Sequence, residues 1–343
     1  MSEDKGIFAM PMIFVTGASR SGTTMLSRML GQHTCVADLK ELHCFGDLVD
    51  PNHLQAPLGQ EEAVQLSTLL IARNKRDIWG GVLDEDKSEA EQLWQEIGDA
   101  CQPASQVISS TLALLATRQG KTIACEQTPR NIFYAGHLLN IYPTLRIVHI
   151  VRDPRDVLAS QKNRWKRKQL GGDNIPYSEI VRVWFNYHPY TLGKLWASAT
   201  QLALRHQEHA RFYLLRFEDI VANPEPELQK LCSFLGIPYE EAMLNIPQVG
   251  SSHRANTDQQ TGVTQSSLNR WVETLTSGEL FICESITRSL MQSLCYTPSA
   301  STSALNPSVI AQVLMYPIHM AGVFAVNPRR AWIQLQAALG KSA

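Results

Sequence analysis

The sequence predicts an α/β fold of three layers, with a central, mostly parallel sheet flanked by helices. Short buried apolar segments alternate with longer segments of helical periodicity, and each apolar segment ends in glycine or polar residues. The four predicted strands cover residues 12–15, 122–126, 145–151 and 211–217. Ligands of such sheets bind at the carboxyl ends of the strands. The loops that begin at Gly17, Gln127, Arg152 and Glu218 are therefore expected along one edge.

Composition sets broad limits on function. The chain has 343 residues, 44% of them apolar, and a formal net charge of −1. A sizeable core is expected, and no general attraction to nucleic acid or to an anionic membrane. Seven scattered cysteines, an odd number without C-x-x-C spacing, favour a reduced, cytoplasmic protein. Residues 1–9 contain no long apolar stretch, so we expect no signal peptide or N-terminal membrane anchor.

The first strand leads into the loop G-A-S-R-S-G-T-T, residues 17–24, and a helical pattern follows. The glycine spacing is nearly that of a P-loop, but Thr23 stands where the P-loop lysine belongs. Loop N–H groups and a helix N-terminus together favour an anion. Arg20 adds a guanidinium, and Thr23 and Thr24 add hydroxyls. We predict a P-loop-like cradle for a phosphate–sulfate group with no obligatory metal; the alternative is a strand-to-helix turn that binds nothing.

Helical periodicity extends along most of the remaining chain. We predict a loop around residues 40–45 and a polar loop over 250–269. Helices are expected at 61–79, 88–119 with a break at Pro103, 132–141, 178–209, 225–235 and 278–294. The histidines form no convincing metal-ligand set: His206 and His209, three positions apart on a predicted helix, favour a solvated helix end, with a zinc pair as the alternative.

The C-terminal region differs from the rest of the chain. We expect residues 1–296 to form the α/β domain and residues 297–343 to form a linker and an apolar helical extension. Residues 309–326 carry no charge, and Arg329 and Arg330 follow. Gln312, Pro317 and His319 interrupt the apolar run, which is near the lower length limit for a membrane span. The pattern favours a pair of short helices packed on the body, or a partner-binding arm; membrane contact by 309–326 is the alternative.

A second anion-binding signal follows the third predicted strand. Arg152 stands at the strand end, and Ser160 lies eight positions further, two turns into the next helix. Both can reach a single phosphate, the guanidinium as a forked cation and the hydroxyl as a directed donor. Arg164 is expected one turn beyond Ser160 on the same helix face.

Three segments resemble a known family. Residues 17–26 are similar to the 5′-phosphosulfate-binding loop of sulfotransferases, and residues 148–160 (VHIVRDPRDVLAS) resemble their 3′-phosphate-binding strand and helix. Residues 214–238 are similar to another recurring family segment. Over about residues 11–296, the chain thus resembles the family that uses 3′-phosphoadenosine 5′-phosphosulfate, PAPS. The resemblance implies transfer of a sulfuryl group from PAPS to a hydroxyl of a carbohydrate, lipid, peptide or small molecule, with no metal.

The resemblance also implies residue roles. The sulfate and 5′-phosphate would bind Arg20, Ser21, Gly22, Thr23 and Thr24, and the 3′-phosphate would bind Arg152 and Ser160 with Arg164 nearby. The loop resembles that of tyrosylprotein, carbohydrate and bacterial enzymes. In the tyrosylprotein type, a catalytic glutamate follows the loop arginine by about 21 positions. Glu41 matches this spacing from Arg20 and is the expected general base, with His43 in reserve.

Other positions match the family less closely. Gln127 stands where the tyrosylprotein enzymes carry a lysine, so either Arg20 would supply more of the positive charge or Arg130 would help. Residues 251–258 resemble the late loop that closes over the cofactor, which implies cofactor contacts for Arg254 and Asn256. Five basic residues form either a solvated face or a rim that attracts the cofactor or an acidic acceptor: Lys162, Arg164, Lys166, Arg167 and Lys168.

Two other functions are compatible with these motifs. A P-loop kinase would use the same kind of loop, although Thr23 in place of lysine argues against it. A non-catalytic module that keeps the nucleotide site is favoured by Gln127.

Overall fold

The computed structural model describes residues 10–97, 101–165, 177–248, 257–299 and 306–326, together with Ala304, Pro328 and Trp332. The strands are β1 Met12–Gly17, β2 Val36–Asp38, β3 Pro57–Leu58, β4 Gln102–Pro103, β5 Ile123–Glu126, β6 Leu145–Val151, β7 Phe212–Arg216, β8 Pro247–Gln248 and β9 Thr257–Thr261. The helices are α1 Thr23–Gly31, α2 Gln60–Arg76, α3 Asp84–Ile97, α4 Ala104–Arg118, α5 Ala135–Ile141, α6 Pro154–Lys162, α7 Tyr177–Asn186, α8 Pro189–His206, α9 Phe217–Ala222, α10 Pro224–Leu235, α11 Trp271–Thr274, α12 Ser277–Ser293 and α13 Pro307–Val326.

The central sheet has five parallel strands in the order β2-β5-β1-β6-β7. The predicted α/β class and all four predicted strands are confirmed. The sequence prediction missed β2, because three residues are too short to show a strand pattern. With β1 in the centre, the loops after β5, β1 and β6 lie side by side, and the loop after β2 lies beside that of β5.

Strand β1 explains why the sheet has helices on both sides. Alternate residues of a strand point to opposite faces. Met12 and Phe14 pack into one hydrophobic cluster with residues of α2 and α4. Ile13 and Val15 pack into a second cluster with residues of α1 and α10. The strand is buried on both faces, as its continuous apolar sequence predicts.

Several predicted elements have different boundaries in the structure. The helical region 178–209 is two helices, because Tyr187 and His188 separate α7 from Pro189 at the start of α8. A turn of 3₁₀ helix, Pro129–Tyr134, precedes α5. The predicted loop over 250–269 includes a strand, since β9 pairs antiparallel with β8. All seven cysteines lie in the described ranges and are free thiols.

The apolar C-terminal segment forms a single helix, α13, so the predicted pair of short helices is wrong. Pro317 lies inside the helix and does not divide it. One side of α13 contacts α7 and α12. Among the described residues, α13 is the one helix whose length and composition would allow it to cross a membrane.

Candidate active site

The loop after β1 has the backbone of an anion-binding turn. Ser21 N donates to Ala18 O at 3.0 Å, and α1 begins at Thr23. Arg20 has a φ of 77° and Gly22 a φ of 102°, both in the left-handed region. A Cβ at Gly22 would lie 2.5 Å from the Phe217 ring, so position 22 requires glycine for both conformation and space. The free N–H groups at the start of α1 therefore face the edge of the sheet.

Arg20, Arg152 and Ser160 come together although they are far apart in sequence. Arg20 Nε donates to Ser160 Oγ at 3.1 Å, and Arg152 Nη1 donates to Arg20 O at 3.2 Å. Trp196 Nε1 donates to Arg152 O at 2.9 Å and fixes the end of β6. The Arg152 guanidinium lies 4.4 Å from the centre of the Phe217 ring. The two anion-binding signals of the sequence thus form one site.

Two buried polar atoms in this site lack partners. Ser21 Oγ and Arg152 Nε have no hydrogen-bond partner among the described residues. Burial lowers the pKa of Arg152, while the nearby carboxylates Asp156, Glu218 and Asp153 raise it. Buried donors without partners carry a desolvation cost that a bound anion offsets. The site therefore fits an anionic group with several oxygen acceptors.

Arg164 is not placed as the sequence predicted. Helix α6 ends at Lys162, so Arg164 is not one turn beyond Ser160 on the same helix. Its guanidinium lies 3.8 Å from Glu179 Oε1 of α7. Lys162 Nζ donates to Glu279 Oε2 at 2.7 Å and to Thr274 O at 3.0 Å. These two members of the predicted basic cluster are engaged in structural contacts, and the other three, at positions 166–168, lie outside the described residues.

Glu41 and His43 lie together in the loop after β2. His43 Nε2 is 3.2 Å from Glu41 Oε2. The Glu41 side chain is partly exposed, whereas His43 Nδ1 is buried and has no hydrogen-bond partner in the described part of the chain. In the tautomer that donates Nε2–H to Glu41, the imidazole holds the carboxylate in place. The expected base and its reserve are thus neighbours.

Glu126, which sequence reasoning did not select, connects this loop to the sheet. Its Oε1 accepts from Leu42 N at 3.1 Å, and its Oε2 accepts from Thr128 N at 3.1 Å and from Asn131 Nδ2 at 2.8 Å. His43 N donates to Thr128 Oγ1 at 3.1 Å. Burial raises the pKa of Glu126, and these hydrogen bonds oppose the shift. The sequence does indicate this role in one way: Glu126 ends a buried strand, and because an unpaired buried carboxylate is costly, hydrogen-bond partners are expected there.

Gln127 and Arg130 follow β5. Thr24 Oγ1 donates to Gln127 Oε1 at 3.2 Å, which places the amide beside the start of α1. Arg130 Nη2 lies 2.6 Å from Asp47 Oδ1, so this guanidinium pairs with the loop after Phe45. Arg254 and Asn256 lie outside the described residues. Seven predicted site residues therefore lie at one edge of the sheet: Arg20, Ser21, Gly22, Thr23, Thr24, Arg152 and Ser160. Glu41 lies on the loop after β2, which is separated from the loop after β1 by that of β5.

The fold and the site together define the class of P-loop-like α/β proteins. Its features here are the parallel sheet, the loop between β1 and α1, and a second cationic group after β6. The sequence model of the sulfotransferase family matches residues 11–241. The chain therefore belongs to the sulfotransferase family.

Individual relatives are distant. A protein-tyrosine sulfotransferase of Drosophila melanogaster is 23% identical over 244 residues, which cover 69% of this chain and 40% of the relative. Carbohydrate sulfotransferase 3 of Mus musculus is 32% identical over 104 residues, 27% of this chain and 21% of the relative. The chain thus spans well under half the length of these two relatives. Among solved structures, the sulfotransferase domain from the curacin biosynthetic pathway has a TM-score of 0.53 at 19% identity and shares the fold. That similarity covers 84% of this chain and 98% of the domain.

Proposed function

We propose that this protein is a PAPS-dependent sulfotransferase that transfers a sulfuryl group to an acceptor hydroxyl, with Glu41 as the general base. The observation that carries the proposal is the convergence of Arg20, Arg152 and Ser160 on one site at the edge of the sheet. A nucleotide with phosphates at both the 5′ and the 3′ position needs two separate anion contacts. The loop after β1 supplies one, and Arg152 directly after β6 supplies the other together with Ser160 of α6.

Residues from two regions of the chain would bind the sulfate donor PAPS. The N-terminus of α1, with Ser21, Thr23 and Thr24, would bind the 5′-phosphosulfate. Arg152 and Ser160 would bind the 3′-phosphate, and the unpartnered Arg152 Nε and Ser21 Oγ fit such oxygen-rich groups. PAPS supplies the activated sulfuryl group, so these residues need only bind it, orient it and stabilise charge. None of these contacts requires a metal.

Glu41 would accept the proton of the acceptor hydroxyl. His43, 3.2 Å away, holds the carboxylate by donating Nε2–H. The backbone bond from Leu42 N to Glu126 fixes the loop that carries both side chains. Because these contacts hold the Glu41 carboxylate, the side chain needs little rearrangement before proton transfer.

Arg20 and the α1 N-terminus would stabilise the negative charge that develops on the leaving phosphate. Gln127 contributes an oriented amide but no charge at this point. Arg20 would therefore supply the positive charge that stabilises the transferring group.

The acceptor class is proposed from general chemistry. The named relatives are a protein-tyrosine and a carbohydrate sulfotransferase, both of which imply hydroxyl acceptors. We propose a hydroxyl-bearing acceptor for this chain and a cytoplasmic setting in which PAPS is the diffusible donor.

The test is transfer of radiolabelled sulfate from PAPS to a panel of tyrosine peptides, oligosaccharides, lipids and phenols. The proposal predicts labelling of at least one acceptor class and its loss in Arg20→Ala. Tight binding of 3′-phosphoadenosine 5′-phosphate, PAP, without any transfer would instead indicate the non-catalytic nucleotide-binding module. Magnesium-dependent turnover of ATP would indicate a kinase.

A further inference from the structure

The surface of α13 has an unusual distribution of polarity. Its solvent-facing side chains are apolar, and three of them are more than half exposed: Leu314 (69%), Val313 (59%) and Ile318 (53%). Ile310, Met315, Phe324 and Val326 add to the same exposed surface. A helix on the surface of a water-soluble protein normally presents its polar face to solvent. Helix α13 does the opposite.

The polar side chains of α13 lie against the protein body. His319 is buried, and its Nδ1 is 3.1 Å from Phe185 O. Ser308 Oγ accepts from Gly278 N at 3.2 Å. The Tyr316 ring lies 4.7 Å from that of His188, measured between centres. The body therefore satisfies the polar groups of the helix, and the apolar side faces outward.

Helix α7 extends this surface. Tyr177, Val181 and Trp184 are exposed and spaced four and three residues apart, so they share one face of α7. The Trp184 ring stacks on that of His319 at 5.1 Å, which joins the α7 face to α13. We call the exposed side chains of α7 and α13 the outer apolar surface. Contiguous apolar surfaces of this kind mark interaction sites.

The sequence that contains α13 carries charges of one sign. Residues 285–343 contain no aspartate or glutamate, and their charged side chains are all basic: Arg288, Arg329, Arg330 and Lys341. Arg329 and Arg330 follow α13 closely in sequence, and Trp332 is exposed. An apolar helix flanked by arginines and tryptophan has the composition of a segment at a membrane interface.

We propose that the outer apolar surface docks the protein on an anionic lipid bilayer, with α13 lying in the plane of the interface. A helix of 20 residues is about 30 Å long, so the apolar contact runs along an extended line. Basic residues near the helix end in sequence attract anionic headgroups, and this attraction adds to the apolar contact. The segment 285–343 has no acidic side chain that would repel anionic headgroups. Its charge therefore favours an anionic lipid surface as the partner.

The experiment uses the full chain and sucrose-loaded vesicles. One set is pure phosphatidylcholine and the other contains added phosphatidylglycerol; bound protein is measured in the pellet. We expect the parent protein to sediment with the anionic vesicles, and the double variant Leu314→Glu/Ile318→Glu to lose about tenfold or more in partition coefficient. Val272→Glu is the matched control, since Val272 is an equally exposed apolar residue (62%) on α11. The double variant Arg329→Gln/Arg330→Gln should reduce the preference for anionic over neutral vesicles.

Three results would overturn the proposal. The parent protein could stay in the supernatant with both kinds of vesicle. Leu314→Glu/Ile318→Glu could bind as the parent does, with circular dichroism showing that both are folded. Light scattering could show a dimer that this variant separates while vesicles bind neither protein, which would make the surface an interface between copies. Sulfate transfer to a soluble acceptor is measured on the same samples, so that loss of membrane docking is distinguished from loss of the proposed activity.

Discussion

Arg20 Nε donates a hydrogen bond to Ser160 Oγ at 3.1 Å, although 140 positions separate them in the chain. The parallel register of β1 and β6, which aligns Gly17 with Ile150, brings the two strand ends to one level. The loop after β1 and helix α6 thus share one hydrogen-bonded site. A ligand that engages Ser160 must also reach Arg20, so binding at the two phosphate positions is expected to be coupled.

The first prediction concerns the base. Glu41→Gln keeps the shape of the side chain but cannot accept a proton, so we expect kcat to fall by about 10²- to 10⁴-fold with little change in donor affinity. His43→Gln keeps a donor toward Glu41, so its kcat should fall by only about tenfold. The measurement is sulfate transfer under single-turnover conditions for each variant. The reverse order of losses would make His43 the base.

The second prediction concerns the neutral residue at position 127. Gln127→Lys adds a cation beside Thr24 and the α1 N-terminus, so we expect kcat to rise about tenfold, which corresponds to about 1.4 kcal/mol of charge stabilisation. The unliganded variant should unfold more readily, because a largely buried ammonium is costly. Steady-state kinetics and denaturant unfolding measure the two effects, with Gln127→Met as the uncharged control. Unchanged kcat in Gln127→Lys would show that this position does not contact the developing charge.

The third prediction concerns Glu126, which acts through the loop that it positions. Glu126→Gln keeps one acceptor oxygen and puts an NH₂ group in place of the other, so at least one of the three N–H donors then faces another donor. We expect the free energy of unfolding to fall by about 1–3 kcal/mol, and kcat to fall more than KM rises. Glu61→Gln on the exposed side of α2 is the control. A stability loss with unchanged kcat would mean that the loop after β2 does not depend on this carboxylate.

The fourth prediction is a pH dependence of stability. His149 is buried in β6, its Nδ1 lies 3.0 Å from Thr16 Oγ1, and burial lowers its pKa from 6.5 to about 3. The unfolded chain therefore binds a proton first as the pH falls. The contribution of His149 to stability is complete above pH 6.5 and declines as the pH drops toward 3.

Between about pH 7.5 and pH 5.5 this group alone should remove about 1.4 kcal/mol from the free energy of unfolding. Denaturant unfolding across this range measures the slope of the free energy of unfolding against pH. The slope should flatten in His149→Gln and persist in His53→Gln, since His53 is exposed. An identical slope in His149→Gln would assign the pH dependence to other groups.

Much of the fold follows from local sequence. The long apolar strands and the glycine-flanked loop after β1 have clear patterns, because both faces of a central parallel strand are buried. Strand β2 has three residues and no such pattern, and its place in the sheet depends on pairing with β5, which follows only after α2, α3 and α4 in the chain. The uninterrupted course of α13 through Pro317 depends on packing against α7 and α12, which helix-breaking rules do not include.

The candidate site was predictable to a similar extent. Arg20, Arg152 and Ser160 each lie in a motif whose spacing carries a physical reason, and they meet as expected. Arg164 was misplaced because nothing in the sequence marks the end of α6 at Lys162. Glu126 was missed because its link to the loop after β2 is a hydrogen bond from Leu42 N, 84 positions away, and such a long-range contact leaves no local pattern.

The central claim is that this site binds a nucleotide with a 3′-phosphate. The most direct measurement is a thermal-shift titration with PAP beside ADP and ATP, with and without magnesium, on the parent and on Ser160→Ala. Binding to the folded state raises stability by about 2.7 kcal/mol at about 100 times the dissociation constant. We predict selective, magnesium-independent stabilisation by PAP that Ser160→Ala weakens. An equal response to ADP, or a response only to ATP with magnesium, would contradict the claim.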